Sequence, residues 1–506
     1  MHRDTLTDAL PSDAKTDRLP QALYRAEQVQ QFDRLAIEQF GLPAALLMRR
    51  AAESAFAAVQ SRYADSRSAV VFCGPGNNGG DGYVFAAIAA RAGWHVTVIA
   101  VGDVPRGEVA QDALKQWLEL GHINQLPCDI PTTDIVVDAL LGVGLQRDVS
   151  GEFAKAVELI NRASGKVISM DVPSGLCSDT GRCLGSVVKA DLTCCFVGLK
   201  QGLFTGSGPE YVGDVIYDAL SIPAPVFASS ILSSRRLDAA ALEHVFTQRS
   251  RVSHKGDMGH VLLIGGAHGM SGAIVLAAAA ALRTGAGLVS VASCAESVAA
   301  LNASHPEVMA HAIDAVDDLM SLIERADVVV IGPGLGQSDW SQLMFKAAMH
   351  SDKPMVVDAD ALNLLSEDLG VINRPCVITP HPGEAARLLG VSSAEINADR
   401  FASALKLHQV TSATVVLKGA GTVVQGVQQK PPAVIDAGNP GMASGGMGDV
   451  LSGVIAALIA QGFDADDAAQ YGALVHSVAA DRAAEQGERG MTASDVIYQI
   501  RAVVNS

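Results

Sequence analysis

Residues 68–101 read SAVVFCGPGNNGGDGYVFAAIAARAGWHVTVIAV. A β-branched run at 69–73 enters a loop at 74–80. A helical pattern follows from about 81 to 91, and a second β run occupies 95–101. Strand, helix and strand in that order make a βαβ unit, which implies parallel neighbours and a right-handed crossover. Outward from this stretch the design recurs. Residues 134–138 run into DALLGVGLQRDVSGEF, 166–170 into DVPSGLCSDTG, 260–265 into a glycine loop with a helix from about Ser271, and 355–358 into DADALNLL. The fold class is therefore α/β, and in open α/β sheets ligands collect at the carboxyl ends of the strands.

A chain of 506 residues exceeds one ordinary core, so two or three domains are expected. The composition shift at Ile222 and beyond, rich in Pro and Ser, marks a boundary. The division is a flexible tail at 1–20, a first domain at 21–225, a linker at 226–236 and a second domain at 237–506. A net charge of −17 without a polybasic run argues against nucleic acid as a partner. The longest apolar run, 273–282, is too short for a membrane span. Eight cysteines without a C-x-x-C pair, behind an opening that lacks an apolar signal region, fit a reducing cytoplasm.

Two glycine-rich loops carry the chemistry. In the first, Gly74, Gly76 and Gly79 match a dinucleotide fingerprint, with Asp103 downstream. Asp81 falls where a pyrophosphate should meet the helix, and a carboxylate repels it. Asn77, Asn78 and Asp81 instead offer oxygen donors for a cation or for polar groups of a ligand; a βα turn stiffened by Asn fits the spacing as well. The loops at Asp138 with 142–148, and at Asp171 with Ser174, then converge on the same crevice. The second loop lies in AGNPGMASGGMGDVLSGVIAALIAQG, 437–462. Its glycines turn backbone N–H groups toward one point, ahead of an apolar helix expected from about Val450, which is an anion cradle. Asp449 at its rim suits a base beside a phosphate. His381 at a strand end and Lys418 in the hairpin TVVLKGAGTVV, 414–424, are further candidates, whereas Lys200 reads as a phosphate contact or a solvated side chain.

KGDMGHVLLIGGAHGMSGA, IGPGLG, VVDADALN, TPHPGEAARLLG, VVLKGAGTVV and AGNPGMASGGMGDVLSGV resemble the ADP/ATP-dependent NAD(P)H-hydrate dehydratases of ribokinase-like fold. CGPGNNGGDGYV, DALLGVG and DVPSGL resemble the Rossmann-like NAD(P)H-hydrate epimerases, and the fusion is that of the bifunctional NAD(P)H-hydrate repair enzymes. The resemblance covers the chain from about Tyr24 onward. It implies a hydrated nucleotide against Asn77, Asn78, Gly79, Gly80 and Asp81, against Gly142, Val143, Gly144, Leu145, Gln146, Arg147 and Asp148, and against Asp171. It implies potassium on Asn78, Asp138 and Ser174. In the second domain it implies the hydrated nucleotide at Ala273, Gly336, His381 and Asp449, and Mg2+ with ADP or ATP at Lys418, Gly419, Ala420, Gly421, Thr422 and Gly448. Asp449 and Asp171 are the catalytic candidates. A homo-oligomer acting only on small molecules is expected. Cys177 and Arg50 depart from the family's usual residues, and Asp191 and Lys200 fit its pattern without an assigned role. A small-molecule kinase, an NAD-dependent dehydrogenase and a nucleotide sensor are the rival readings.

Overall fold

The computed structural model describes residues 19–127, 130–427 and 430–506, so nearly all of the expected tail lies outside the described residues. Contacts divide the chain after Arg236 into two compact units. No helix among the described residues is long and apolar enough to cross a membrane.

In the first unit the strands lie in the order Ile123–Gln125, His95–Ala100, Ser68–Cys73, Ile135–Ala139, Lys166–Met170, Leu192–Phe196, Asp214–Asp218. All neighbours are parallel. The chain winds outward in one direction from Ser68–Cys73 and then in the other from Ile135–Ala139. The switch point therefore falls between these two strands, where a Rossmann-like sheet opens its ligand crevice. Both faces are covered, as a parallel sheet requires. Val70, Phe72 and Val136 pack under helix Gly151–Arg162, and Val71 and Val137 under helices Ala44–Arg62 and Asn77–Arg91.

Helix Asn77–Arg91 starts four residues earlier than its sequence pattern suggests. Glycine is a poor helix former, but here the absence of Cβ is what allows close packing. A Cβ on Gly79 would lie 1.9 Å from the Gly74 carbonyl oxygen. Ahead of the sheet, helix Ala26–Glu38 is anchored by Phe32, whose ring lies 4.9 Å from Tyr24 and 5.2 Å from Phe227. The segment at 226–236 is built chain: it shares helix Ala224–Phe227 and most of strand Ser234–Leu237, which pairs antiparallel with Ala22–Leu23.

In the second unit the order is Ala433–Ile435, Thr422–Gln425, Thr414–Leu417, Cys376–Ile378, Met355–Val357, Val328–Ile331, His260–Ile264, Leu288–Ser293, Met309–Ala312. Among the described residues the pairings between the first three strands named are antiparallel, and the other pairings of the strands named are parallel. From the strand His260–Ile264 the chain winds outward through Leu288–Ser293 and Met309–Ala312, then returns to Val328–Ile331 on the other side, which marks a second switch point. Helix Met447–Ala460 buries Val450, Leu451, Val454, Ile455 and Leu458, packing on helix Ser271–Thr284. Gly453 allows this contact, since a Cβ there would lie 2.1 Å from the Ala277 carbonyl oxygen.

Candidate active sites

A cavity of about 1250 Å³ opens at the switch point of the first unit. Asn77, Asn78 and Asp81 reach it from the start of helix Asn77–Arg91, and residues 142–148 from the loop after strand Ile135–Ala139. Asp171, just past strand Lys166–Met170, completes the wall. Gly79 and Gly80 lie behind this wall as packing residues: Gly80 is seated against Met48.

Asp138 and Ser174 also stand back from the cavity, but they meet Asn78 around Leu141. The Leu141 amide donates to Ser174 Oγ at 2.9 Å, and Asn78 Nδ2 donates to the Leu141 carbonyl at 2.9 Å. Ser174 Oγ donates to Asp138 Oδ1 at 2.6 Å, while Ser169 Oγ and the Ser174 amide donate to Oδ2 at 2.9 and 2.8 Å. Burial pushes the Asp138 carboxyl up, and these hydrogen bonds offset part of the rise. Asn78 Oδ1 is buried with no hydrogen-bond partner among the described residues. An orphaned amide oxygen beside a carboxylate and a hydroxyl fits a hard cation such as potassium.

Asp171 sits at φ +68°, a left-handed backbone that a short polar side chain tolerates. It accepts from the Phe196 amide at 3.1 Å and is ion-paired with Lys200. Lys200 is fully buried and also donates to the Phe196 carbonyl at 2.8 Å. The sequence reading of Lys200 as a phosphate contact or a solvated side chain is therefore corrected: it is the cation under Asp171. Burial pushes its ammonium down, but the Asp171 carboxylate and the Cys195 thiol side outweigh that and raise it. Asp191, left without a role above, binds the Val167 amide at 2.9 Å and Lys166 Nζ at 2.8 Å, pinning the start of a strand. Sequence reasoning missed Asp33, which faces the cavity from helix Ala26–Glu38; it lies outside every glycine loop.

In the second unit the loops at 265–270 and 332–336 are zipped by backbone bonds, Gly266 to Pro333 at 3.0 Å and Ala267 to Gly334 at 2.7 Å. A Cβ on Gly334 would touch Ala273 at 3.1 Å, and the Gly336 amide donates to Asp360 Oδ2 at 2.8 Å. Helix Met447–Ala460 begins three residues earlier than expected, so Asp449 lies in its first turn, behind Gly446 at φ +90°. A Cβ on Gly448 would lie 3.2 Å from Lys418 Nζ. Lys418 donates to Asp358 Oδ1 at 2.9 Å and stands 3.8 Å from Glu384. Ser452 Oγ donates to the other Asp358 oxygen at 2.6 Å. Burial pushes Asp358 up; Lys418 and Ser452 prevail and hold it below the usual range. Asp449 keeps no such cation to itself. Burial, and then the neighbouring Asp358 charge, push its carboxyl up to about 7 against the pull of Lys418.

Lys418 leads into the turn Gly419-Ala420-Gly421 between strands Thr414–Leu417 and Thr422–Gln425, and Thr422 Oγ1 donates to the Gly419 carbonyl at 3.0 Å. Behind that turn is buried Arg400, another residue missed in the sequence, which donates to the Leu417 and Lys418 carbonyls at 2.8 and 3.1 Å. His381 caps helix Pro382–Leu389, its Nδ1 accepting from the Gly383 amide at 2.9 Å. Its Nε2 stands 3.5 Å from Glu384 Oε1 on a half-exposed ring, and burial with the Lys418 charge keeps the ring neutral more readily.

Comparison with known proteins places both halves of the chain in described families. Residues 261–502 match the family described as NAD(P)H-hydrate dehydratase, and 44–202 match the YjeF-related protein N-terminus. The bifunctional NAD(P)H-hydrate repair enzyme Nnr of Coxiella burnetii is 43% identical over 487 residues, covering 96% of this chain and 99% of that one. The chain belongs to the bifunctional NAD(P)H-hydrate repair enzymes. The Escherichia coli member is 43% identical over 492 residues, spanning 96% of this chain and 95% of that one. A solved ribokinase-like superfamily protein from Enterococcus faecalis superposes with TM-score 0.50 at 31% identity, covering 55% of this chain and 97% of that one. That protein spans about half of this chain, and the match shows a ribokinase-like fold.

Proposed function

We propose that the two units carry two halves of one repair. The substrate is NADH or NADPH bearing water across the nicotinamide C5=C6 bond, with the hydroxyl on C6. The first unit interconverts the R and S forms at C6; the second removes water from the S form at the expense of ADP or ATP, which enters with Mg2+.

Hydroxide leaves poorly at neutral pH, and phosphate far more readily. Asp449 takes the proton of the C6 hydroxyl as its oxygen attacks the terminal phosphate of the nucleotide. Amides at Gly445–Gly448, with Lys418 beside them, offset the charge on the transferring group. Elimination assisted by the ring nitrogen's lone pair then restores the dihydronicotinamide. Lys418, Gly419, Ala420, Gly421, Thr422 and Gly448 hold the nucleotide, and Ala273, Gly336 and His381 face the hydrated ring. The observation that carries this reading is the place of Asp449: first turn of a helix, next to Gly448 and Lys418, with its carboxyl near 7 and so able to accept a proton at working pH.

In the first unit Asn77, Asn78 and Asp81, with Gly142–Asp148 and Asp171, enclose the substrate, while Gly79 and Gly80 pack behind them. Asn78, Asp138 and Ser174 would hold a potassium ion, whose fixed positive charge would order the loops. The free thiols of the described cysteines suit a reducing cytoplasm. The test is to incubate the protein with mixed epimers of hydrated NADH and Mg·ADP, and to follow return of dihydronicotinamide absorbance. Recovery beyond half of the mixture faster than spontaneous epimerisation supports both activities; recovery without nucleotide consumption would sink the coupling.

A further inference from the structure

The cavity of the first unit holds more acid than substrate binding needs. Opening and reclosing a ring at C6 requires two proton-handling groups at once, a base for the hydroxyl and an acid for the ring nitrogen. Asp171 has Lys200 on its Oδ1, which marks it as the anionic partner. Asp33 and Asp81 face the same cavity. Neither carboxyl has a hydrogen bond or ion pair among the described residues; both feel the Asp171 charge, and Asp81 also feels that of Asp33. Val29, Gln30, Asp33 and Ile37 form one stripe of helix Ala26–Glu38 on the cavity wall, so the carboxyl of Asp33 is presented by a rigid element.

We propose that Asp33 is a catalytic acid of the first unit: with Asp81 it holds the single proton that must reach the ring nitrogen while Asp171 takes the proton of the C6 hydroxyl. This rests on the epimerase reading given above. Asp171 removes the O–H proton, C6=O forms, the C6–N1 bond breaks, and its electron pair stays on N1. The Asp33–Asp81 proton then moves to N1, leaving an open aldehyde. Rotation about the C5–C6 single bond presents the other face. N1 attacks it, its proton returns to the carboxyl pair, and Asp171 gives its proton back to oxygen. Nothing is consumed.

The charge environment favours this division. Burial first, and then Asp171 against the pull of Lys200, raise the Asp33 carboxyl to about 6, and burial with Asp171 and Asp33 raises Asp81 well above its ordinary value. Two carboxyls raised in proton affinity beside a third that is ion-paired with a buried lysine fit an acid and a base in one site. The other charged groups on the wall are Asp103 and Arg106, which pair with each other at 3.0 Å, and Arg147 and Asp148.

The experiment follows a pure epimer of hydrated NADH by chromatography, without ADP, using wild type, D33N and D33E. D33N is expected to lower kcat for interconversion about 10²–10⁴-fold with KM little changed, and D33E to restore part of it. Removing the Asp33 charge lets Asp81 lose its proton more easily, so the alkaline fall of any residual D33N rate moves to lower pH. Dehydration of the S form by the same preparations, unchanged, shows that the chain is folded. D33N at wild-type kcat, or a loss confined to KM, overturns the role of Asp33 alone. A wild-type protein that leaves the pure epimer untouched overturns the epimerase reading with it.

Discussion

Each unit contains a lysine pinned on a carboxylate beneath the strand ends, yet the two lysines hold differently placed carboxylates. In the first unit Lys200 sits on Asp171, the candidate base itself. In the second, Lys418 sits on Asp358, one residue past a strand, and Asp449 is left to feel mainly burial and like charge. The lesson is that a buried cation can make a carboxylate dependable as an anion or, by pairing elsewhere, leave its neighbour free to bind a proton near neutrality.

The sharpest way to break this comparison is Asp449→Asn. Dehydration should fall about 10²–10⁴-fold while interconversion of epimers persists; equal loss of both in a folded protein would contradict separate sites. Next in size is removal of the cations. Lys200→Met and Lys418→Met each leave a carboxylate in place without its ion-pair partner, and breaking a buried pair costs about 3–5 kcal/mol. Denaturant melts should show a destabilisation of each variant, with Lys418→Met also weakening nucleotide binding by calorimetry.

A third test uses pH. With its carboxyl near 7, Asp449 must be deprotonated to act, so kcat/KM for dehydration should rise with pH below about 7 and level off above it. A flat profile through that range would remove Asp449 as base. The smallest effect concerns stability. A carboxyl raised on folding binds its proton in the folded chain at pH values where the unfolded chain has released it. Folding is therefore progressively penalised as pH rises from the ordinary carboxylate range to about 7. Asp449→Asn lifts that penalty, and the melting temperature of the second unit should rise by a few degrees above pH 7, with no gain in acid. Replacing potassium by a bulky organic cation completes the series: interconversion should slow and dehydration should not.

Most of this architecture was legible because glycine loops follow β-branched runs at regular intervals, and parallel topology then dictates where their ends meet. Helix starts at Asn77 and Met447 were misjudged because glycine's low helix propensity was overridden by close packing at Gly79 and Gly448. Asp33 and Arg400 were invisible for another reason. Each lies on a helix outside the loops, and nothing in local sequence tells which helix face tertiary packing will turn toward a site. Lys200 was recognisable as a pattern residue, but its burial depends on the Phe196 carbonyl and Asp171, fixed only once strands Lys166–Met170 and Leu192–Phe196 are paired.

The left-handed backbone at Asp171 has a consequence for how this enzyme can change. Such a conformation is comfortable for glycine, asparagine and aspartate and uncomfortable for longer side chains. Lengthening the arm to glutamate would strain the main chain while carrying the carboxylate past Lys200. The reach of the Asp171 carboxylate into the cavity is thus written into a torsion angle.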